Sequence, residues 1–325
     1  MPIDVNRHSI GRVVTSGLGL GAAPLGGLYD AVDDDVATAT VRAAIDGGIT
    51  LFDTAPLYGH GLSERRLGAA LRLLDGAHAV ISTKVGRLLR PGADPHTVFR
   101  GVPPLRPIFD FSRDGVLRSL DESLDRLGRD RVDIVYVHDP DDFGDQAVTE
   151  ALPALIDLRE QGVIGAVGAG MNQSEMLARF VRESDLDCVL LAGRYTLLDQ
   201  SGLDELLPLC ADRGVSVVAA GVFNSGVLAD PSPGARYDYA LAPEELLNRA
   251  RRIGAVCSRH GVPLRAAAAR FPALHPAVSV VLVGARSPEE VADAVALSTT
   301  AVPDELWGEL RAEGLLRHDA PVGAR

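Results

Sequence analysis

The strongest constraint on the fold is an alternation, repeated eight times, of a short apolar run and a longer amphipathic segment. In the longer segments apolar residues recur at three- and four-residue steps, as Leu120, Leu124 and Leu127 do, which predicts helices. The predicted strands are Gly19–Ala23, Thr50–Asp53, Ala79–Lys84, Ile134–His138, Val163–Gly168, Cys188–Ala192, Ser216–Ala220 and Ser279–Val283. The predicted helices are Asp33–Asp46, Ser63–Leu74, Asp114–Leu127, Ala147–Gln161, Ser174–Glu183, Leu203–Arg213, Pro243–His260 and Ser287–Ser298.

Eight strand–helix units in succession predict an α/β fold, a single (β/α)8 TIM barrel domain formed by residues 1–325. The stretch Val5–Val14 predicts an N-terminal β-hairpin, and Pro303–Leu316 predicts an extra C-terminal helix. An open, doubly wound parallel sheet is the alternative architecture. Two long segments that contain prolines, Gly86–Ser112 and Gly221–Ala242, are predicted loops, and long loops on a rigid barrel are where binding surfaces usually lie.

The composition argues against several classes of protein. A net charge of −12, from 32 basic and 44 acidic residues, argues against nucleic-acid binding, which usually needs a basic surface. Cys188, Cys210 and Cys257 have neither metal-ligand nor disulfide spacing, so we expect them to pack as small apolar residues in a reducing cytoplasm. Residues Met1–Gly11 hold no apolar leader, and no uncharged apolar run approaches the roughly 20 residues of a membrane helix. We expect a cytoplasmic protein without a membrane partner, and its number of subunits is left open.

Ionisable residues end, or closely follow, three consecutive predicted strands. Asp53 ends the second strand, and Tyr58 follows five residues later in the same loop. Lys84 ends the third strand and His138 ends the fourth. Because the C-terminal ends of barrel strands meet at one face, we expect these four side chains to lie together.

Their chemistry is complementary. A tyrosine with a pKa near ~10 is a poor proton donor or base at neutral pH, and a neighbouring ammonium such as that of Lys84 would lower the pKa of Tyr58. A buried lysine needs a counter-charge, which Asp53 can supply. His138 can hydrogen-bond a substrate oxygen and orient it. The set predicts a proton-transfer site in which Tyr58 is the acid or base.

Two other classes of function compete with this interpretation. An aldolase-like barrel enzyme would use Lys84 as an unpaired amine, and Asp53 argues against that. A binding or regulatory subunit with little catalysis would not need the four residues together.

Two further motifs resemble binding sites, but we interpret both as structural. Gly17–Ala22 matches a loose dinucleotide fingerprint, but no helical pattern follows it before Asp33, so we interpret it as strand and turn glycines. Asp139, Asp141 and Asp142 lack a histidine cluster or ordered ligand spacing, so we interpret them as a solvated loop and expect no metal.

The sequence resembles the aldo-keto reductase superfamily over nearly the whole chain. The resemblance implies hydride transfer between a nicotinamide ring and a carbonyl or alcohol carbon, with the family's catalytic tetrad on Asp53, Tyr58, Lys84 and His138. Tyr58 would be the general acid in reduction and the general base in oxidation. The motifs that carry it are Phe52-Asp53-Thr54-Ala55 with Tyr58-Gly59, Ser63-Glu64 with Leu67-Gly68, Thr83-Lys84, and Asp133-Ile134-Val135 with His138.

Four segments resemble one branch of the superfamily, the aldose dehydrogenases acting on fucose- and galactose-like sugars and the related pyridoxal 4-dehydrogenases. This implies oxidation of a cyclic hemiacetal to a lactone; pyridoxal oxidation and NADPH-dependent reduction of an aldehyde or ketone are the alternatives. The segments are Ala23–Leu28, Thr83–Leu88, Val137–Asp141 and Ala192–Leu198.

The nicotinamide contacts depart from the family pattern. Many family members hold the nicotinamide carboxamide with a Ser-Asn pair after the fifth strand, and this chain has Gly170 and Met171 at those positions. Asn172 or Gln173 could make the contact if the alignment is shifted by one residue. The glutamine of the sixth strand aligns with Ala192, and Arg194, on the same face two residues on, is an alternative contact. Ala220 or Gly221 replaces a ring-stacking tyrosine, with Phe223 as a substitute.

The resemblance also implies the remaining contacts of the cofactor and the substrate. Backbone amides of a glycine-rich segment would meet the pyrophosphate, and a helix N-terminus would meet the adenosine. Glu290 stands where NADP-binding members carry a basic residue, which favours NAD, whereas Arg286 keeps NADP open. The predicted cofactor contacts are Gly21, Ala22, Gly221, Val222, Phe223, Asn224, Ser225, Gly226, Gly284, Arg286 and Glu290; those of a sugar or aldehyde are Tyr29, Arg87 and His138.

Overall fold

The computed structural model describes residues 7–74, 76, 78–238 and 240–322. Within them eight parallel strands close into a barrel, so the predicted (β/α)8 architecture is confirmed and the open sheet is wrong. The barrel strands are β3 (Leu18–Gly21), β4 (Leu51–Asp53), β5 (Val80–Val85), β8 (Ile134–His138), β9 (Ala166–Met171), β10 (Cys188–Ala192), β11 (Ser216–Ala220) and β14 (Val278–Gly284). Three antiparallel hairpins lie outside it: β1 (Arg7–Ile10) with β2 (Val13–Ser16), β6 (Arg87–Pro91) with β7 (Leu105–Phe109), and β12 (Arg236–Tyr237) with β13 (Ala240–Leu241).

Helices surround the barrel, and their apolar faces pack on the outer faces of the strands. A π-helical turn at Ala147–Ala151 joins α4 and α5 into one curved segment. The helices are α1 (Asp34–Asp46), α2 (Leu62–Leu73), α3 (Arg113–Leu127), α4 (Gly144–Gln146), α5 (Leu152–Glu160), α6 (Ser174–Glu183), α7 (Leu206–Arg213), α8 (Glu244–Arg259), α9 (Leu264–Arg270), α10 (Pro288–Thr299) and α11 (Asp304–Ala312).

The predicted N-terminal hairpin is present, and it seals one end of the barrel. Its strands run from Arg7 to Ser16, later than predicted; residues 5 and 6 lie outside the described residues. Ile10 and Val13 are buried in the same apolar cluster as Leu51 and Ile134 from the barrel strands. The N-terminal end of the barrel is thus closed, and the C-terminal end remains for a site.

The fifth barrel strand begins three residues later than predicted, at Ala166 instead of Val163. The amide nitrogens of Gly165 and Ala166 both donate to the carbonyl of Asp133, at 2.8 and 3.0 Å, so regular pairing starts only there. Val163 is 41% exposed and lies in the preceding turn, although its apolar character suggested a strand. The strand consequently ends at Met171, directly before Asn172.

The C-terminal helix is present but shorter than predicted, because Gly314 adopts a φ of +66° just beyond it and turns the chain. The two predicted loops are more ordered than expected, since each contains a hairpin. Leu264–Arg270 forms a helix that the sequence pattern did not predict.

Candidate active site

Asp53 and Lys84 form a closed ion pair at the C-terminal ends of β4 and β5. The Lys84 Nζ donates to Asp53 Oδ2 at 2.6 Å and to the Thr54 carbonyl at 3.0 Å. Ser82 Oγ donates to the other oxygen of Asp53, Oδ1, at 2.8 Å. Both charged residues are buried, with 2% and 1% of their surfaces exposed. The predicted pair is therefore present, and Lys84 is not the unpaired amine that Schiff-base chemistry requires.

Tyr58 is placed by a close approach of two backbone segments. A Cβ atom on Gly26 would lie 2.7 Å from the carbonyl carbon of Tyr58. A Cβ atom on Gly59, whose φ is +62°, would lie 2.2 Å from the carbonyl oxygen of Gly26. Only glycine fits either position without displacing the loop. The loop that carries Tyr58 is thus held against the turn that follows β3.

The ring of Tyr58 lies between Lys84 and His138. The Lys84 Nζ is 4.6 Å from the Tyr58 ring centroid. The His138 ring is perpendicular to it, with the centroids 5.9 Å apart. Phe99, from the segment between β6 and β7, lies against it at 6.2 Å. The structure therefore brings Asp53, Tyr58, Lys84 and His138 together, as the strand ends predicted.

The pKa of Tyr58 is raised well above its ordinary value of 10.0, contrary to the expectation that Lys84 would lower it. Burial is the largest cause, followed by the charges of Asp53 and Asp139. The opposing charge is that of Arg87. Because the carboxylate of Asp53 compensates the ammonium of Lys84, the phenol keeps its proton at neutral pH.

His138 is held as a neutral imidazole. Burial lowers its pKa well below the ordinary value of 6.5, and the charges of Arg87 and Lys84 lower it further. Its Nε2 lies 3.4 Å from Asp139 Oδ2. Its Nδ1 is buried without a hydrogen-bond partner among the described residues. A neutral ring in this position can hydrogen-bond an uncharged substrate oxygen.

A second ion pair joins Asp139 to Arg87. The guanidinium Nη2 of Arg87 donates to Asp139 Oδ2 at 2.6 Å. Burial raises the pKa of Asp139, against the lowering effect of Arg87. The interpretation of Asp139 as a solvated loop residue is therefore wrong, whereas Asp141 and Asp142 are exposed as expected. Asp139 is a residue of the site that the sequence argument missed, although it directly follows His138.

A cleft begins at Tyr58 and Asp53, crosses the ends of β10, β11 and β14, and reaches α10. Of the predicted residues, the cleft is lined by Tyr29, Gly21, Ala192, Gly221, Val222, Phe223, Ser225, Gly226, Gly284, Arg286 and Glu290. Those outside its lining are Ala22, Lys84, Arg87, His138, Asn172, Arg194 and Asn224. Lining residues that the sequence argument missed include Pro24, Leu28, Leu190, Arg265, Asp293 and Leu297.

Arg194 is directed away from the cleft, contrary to the suggestion that it shares a face with Ala192. The strand ends at Ala192, and Gly193 turns the chain with a φ of +73°. The guanidinium of Arg194 then pairs with Asp238 at 2.7 Å. Its function in the structure is to hold the segment between β11 and α8.

The segment after β11 forms a concave backbone surface. Asn224, Ser225 and Gly226 have consecutive positive φ values of 47°, 57° and 106°. Backbone amides in such turns create anion-binding concavities. The amides of Val222 and Phe223 donate to no other atom in the described part of the chain. Asn224 supports this surface from behind, since its Nδ2 donates to the Gly193 carbonyl at 3.1 Å.

Two ion pairs form the far end of the cleft. Arg286 Nη1 contacts Asp30 Oδ2 at 2.7 Å, and Arg286 Nε lies 3.3 Å from Glu290 Oε1. Arg265, on the unpredicted α9, pairs with Asp293 at 2.8 Å. No sequence pattern indicates Arg265, because the four alanines that follow it show no amphipathic alternation.

Across the described ranges, no group of three or more His, Cys, Asp or Glu side chains could hold a metal ion. In the same ranges, no helix combines the length and apolar character needed to cross a membrane.

Comparison with known proteins agrees with this geometry. The model of the Aldo/keto reductase family matches residues 17–313. A D-threo-aldose 1-dehydrogenase from a Pseudomonas species is 46% identical over 303 residues, covering 90% of this chain and 92% of that protein. A pyridoxal 4-dehydrogenase from Microbacterium luteolum is 44% identical over 335 residues, which cover 95% of this chain and 98% of that protein. The structure of a glycerol dehydrogenase from Gluconobacter oxydans superimposes with a TM-score of 0.77, over 99% of this chain and 98% of that one. Because the two sequences are only 24% identical, this likeness shows the fold alone.

Proposed function

Because this chain belongs to the aldo/keto reductase family and is an oxidoreductase, we propose that it oxidises a fucose- or galactose-like aldose hemiacetal to a lactone. The observation that carries the proposal is the position of Tyr58 in the lining of the cleft, between the Lys84–Asp53 pair and His138. The family match spans residues 17–313, so we assign the activity to one barrel domain.

The cleft fits the nicotinamide cofactor that the family uses. A Cβ atom on Gly226 would meet nothing within 4 Å, so space is left beside the concave backbone. The free amides of Val222 and Phe223 suit a pyrophosphate, and the N-terminus of α10 suits the adenosine end. Ala192 and Phe223 line the same cleft as Tyr58, and we place the nicotinamide beside them.

Each residue of the tetrad has a distinct proposed role. His138 holds the hydroxyl of the reacting carbon as a neutral imidazole, and Tyr58 takes the proton of that hydroxyl. A bound oxidised nicotinamide would supply the acceptor for the hydride that the carbon loses, and its positive charge would favour the phenolate form of Tyr58. The Nζ of Lys84 lies 4.6 Å from the centroid of the Tyr58 ring, and Asp53 fixes its position.

We propose that NAD is preferred over NADP. The guanidinium of Arg286 already contacts two carboxylates, those of Asp30 and Glu290. A 2′-phosphate bound at this guanidinium would lie beside both carboxylates, and both would repel it. Glu290 can instead accept a hydrogen bond from a free ribose hydroxyl.

Pyridoxal is the second candidate substrate, because a pyridoxal 4-dehydrogenase is 44% identical to this chain. Aromatic side chains also lie at the site, since Phe99 contacts the Tyr58 ring and Phe109 lies 5.1 Å beneath the Arg87 guanidinium. They would suit a pyridine ring as well as the apolar face of a sugar.

A substrate panel tests the proposal. The purified protein is assayed with L-fucose, L-galactose, D-arabinose and pyridoxal, each with NAD and NADP, by the absorbance of the reduced cofactor. We expect the highest kcat/KM for an aldose with NAD, and lactone as the product by mass spectrometry. Preference for pyridoxal would support the second candidate, and efficient aldehyde reduction with NADPH alone would support a reductase. Cofactor binding without turnover of any substrate would instead indicate a regulatory subunit.

A further inference from the structure

Arg87 and Asp139 form a polar pair next to the tetrad, and the tetrad chemistry does not use it. The pair is separated by 52 residues in sequence and joins β6 to the end of β8 through a 2.6 Å contact. The Arg87 side chain is 12% exposed and that of Asp139 is 30% exposed. A pair that is largely removed from water and adjoins a reaction centre is a candidate for substrate recognition.

Both members are held in place by the backbone. Arg87 follows Gly86, whose φ is +100° and where a Cβ would lie 2.1 Å from the ring of Phe111. This turn directs β6 over the barrel mouth. Asp139 has a φ of +40°, and its amide nitrogen donates to the Gly170 carbonyl at 3.0 Å. A strained non-glycine conformation held by neighbouring structure is a frequent feature of binding sites.

The pair presents a donor and an acceptor that nothing else occupies. The Arg87 Nε is buried without a hydrogen-bond partner in the described part of the chain. The contacts of Asp139 with Arg87 and with His138 both involve Oδ2, and no described residue donates to Oδ1. A hydroxyl group is the substituent that can accept from a guanidinium and donate to a carboxylate at once.

The position of the pair indicates which hydroxyl this is. Asp139 Oδ2 is 3.4 Å from His138 Nε2, and the His138 ring is 5.9 Å from the Tyr58 ring. The oxygen of the reacting carbon is expected between Tyr58 and His138. Oxygens on neighbouring carbons of a sugar are within hydrogen-bonding distance of each other, so the next hydroxyl would reach Arg87 and Asp139.

We propose that Arg87 and Asp139 bind the hydroxyl on the carbon next to the one that reacts, and so select substrates that carry it. This inference rests on the proposed function, which it extends from aldoses in general to aldoses with a 2-hydroxyl. The opposite effects of Arg87 and Asp139 on the pKa of Tyr58 agree with their placement beside the phenol.

The test compares L-fucose with 2-deoxy-L-fucose, which differ only in that hydroxyl. For the wild type we expect kcat/KM to fall at least about 100-fold for the 2-deoxy sugar, because a site built to bind a hydroxyl is left unpaired without it. In Arg87→Met and in Asp139→Asn, the ratio of kcat/KM for L-fucose to kcat/KM for 2-deoxy-L-fucose should fall below about 10, because each variant no longer binds the 2-hydroxyl with both partners.

The matched control is Arg90→Met on the same strand. Arg90 pairs with Glu122 at 2.9 Å on the outside of the barrel, so the ratio should stay within about twofold of wild type. Circular dichroism and NAD titration establish that each variant is folded. A wild type that oxidises both sugars equally, or an Arg87→Met variant that keeps the full ratio, would overturn the inference.

A second substrate pair separates this inference from the proposed function. If no aldose is oxidised, the proposed function fails, and the same ratio is then measured for reduction of lactaldehyde and propanal, which differ in the neighbouring hydroxyl. A preference for lactaldehyde that Arg87→Met removes would support the pair as the hydroxyl site. Equal rates for the two aldehydes in the wild type would overturn it independently of the sugars.

Discussion

Removing the ammonium of Lys84 should destabilise the protein by an amount that its surroundings predict. In Lys84→Met the carboxylate of Asp53, 2% exposed, would be left with the Ser82 hydrogen bond at 2.8 Å as its remaining side-chain partner. Breaking a buried ion pair costs about 3–5 kcal/mol. With an unfolding entropy of about 2.1 cal/mol/K per residue, the 325 residues give about 0.7 kcal/mol/K, so the melting temperature should fall by roughly 4–7 °C.

The double variant Lys84→Met/Asp53→Leu distinguishes lost pairing from lost packing. Replacing a buried ion pair with apolar residues of similar size is often neutral or stabilising. We therefore expect the double variant to regain at least about half of the lost stability while activity remains absent. The control is Arg90→Met, because its pair with Glu122 is partly exposed and should contribute at most about 1 kcal/mol.

The assay is urea unfolding followed by circular dichroism, together with calorimetric melting of the same variants. A Lys84→Met variant as stable as wild type would show that Asp53 is protonated or hydrated when unpaired, and the argument from burial would fail. A double variant less stable than Lys84→Met would show that the pair stabilises the barrel by more than mutual neutralisation.

Four further predictions concern the reaction and the cofactor. Tyr58→Phe should lower kcat by about 10²–10⁴-fold and leave the Kd for NAD nearly unchanged, as measured by steady-state kinetics and fluorescence titration. Because the pKa of Tyr58 is raised, its phenolate is scarce at neutral pH; oxidation should accelerate about tenfold per pH unit until product release limits it, whereas reduction should be flat through neutrality. Arg87→Met removes the charge that lowers this pKa, so the alkaline limb of the kcat profile should move to higher pH, and an unmoved limb would contradict this. Asp30→Asn/Glu290→Gln should release Arg286 and lower the ratio of the Kd for NADP to the Kd for NAD by about tenfold. An unchanged ratio would show that the two carboxylates do not set the cofactor preference.

The sequence predicts the parts of the site that depend on local patterns. Asp53, Lys84 and His138 each end a short apolar strand, and parallel strands of a barrel bring their C-terminal ends together whatever their separation in the chain. Their clustering follows from the period of the pattern and from topology alone. The Asp53–Lys84 pair follows in turn, because neither charge is stable when buried alone.

The sequence does not predict features that depend on where a strand ends within a few residues, or on the pairing of segments that are far apart in the chain. Arg194 shares a face with Ala192 only if the strand continues, and the turn at Gly193 ends it. The hairpin β6–β7 contains prolines at both a strand end and a strand interior, which hides its alternation. Without that hairpin the approach of Arg87 to Asp139 cannot be inferred.

The charge arrangement around Tyr58 explains why its pKa departs from the simple expectation. A single ammonium beside a phenol lowers the pKa of the phenol, but here Lys84 is compensated by Asp53 at 2.6 Å, and Arg87 is compensated by Asp139 at 2.6 Å. Two neutral pairs produce a small net field, and the cost of burying a phenolate then dominates. Tyr58 is therefore a phenol in the free protein. Its phenolate requires an additional positive charge, which an oxidised nicotinamide would supply in the proposed direction of reaction.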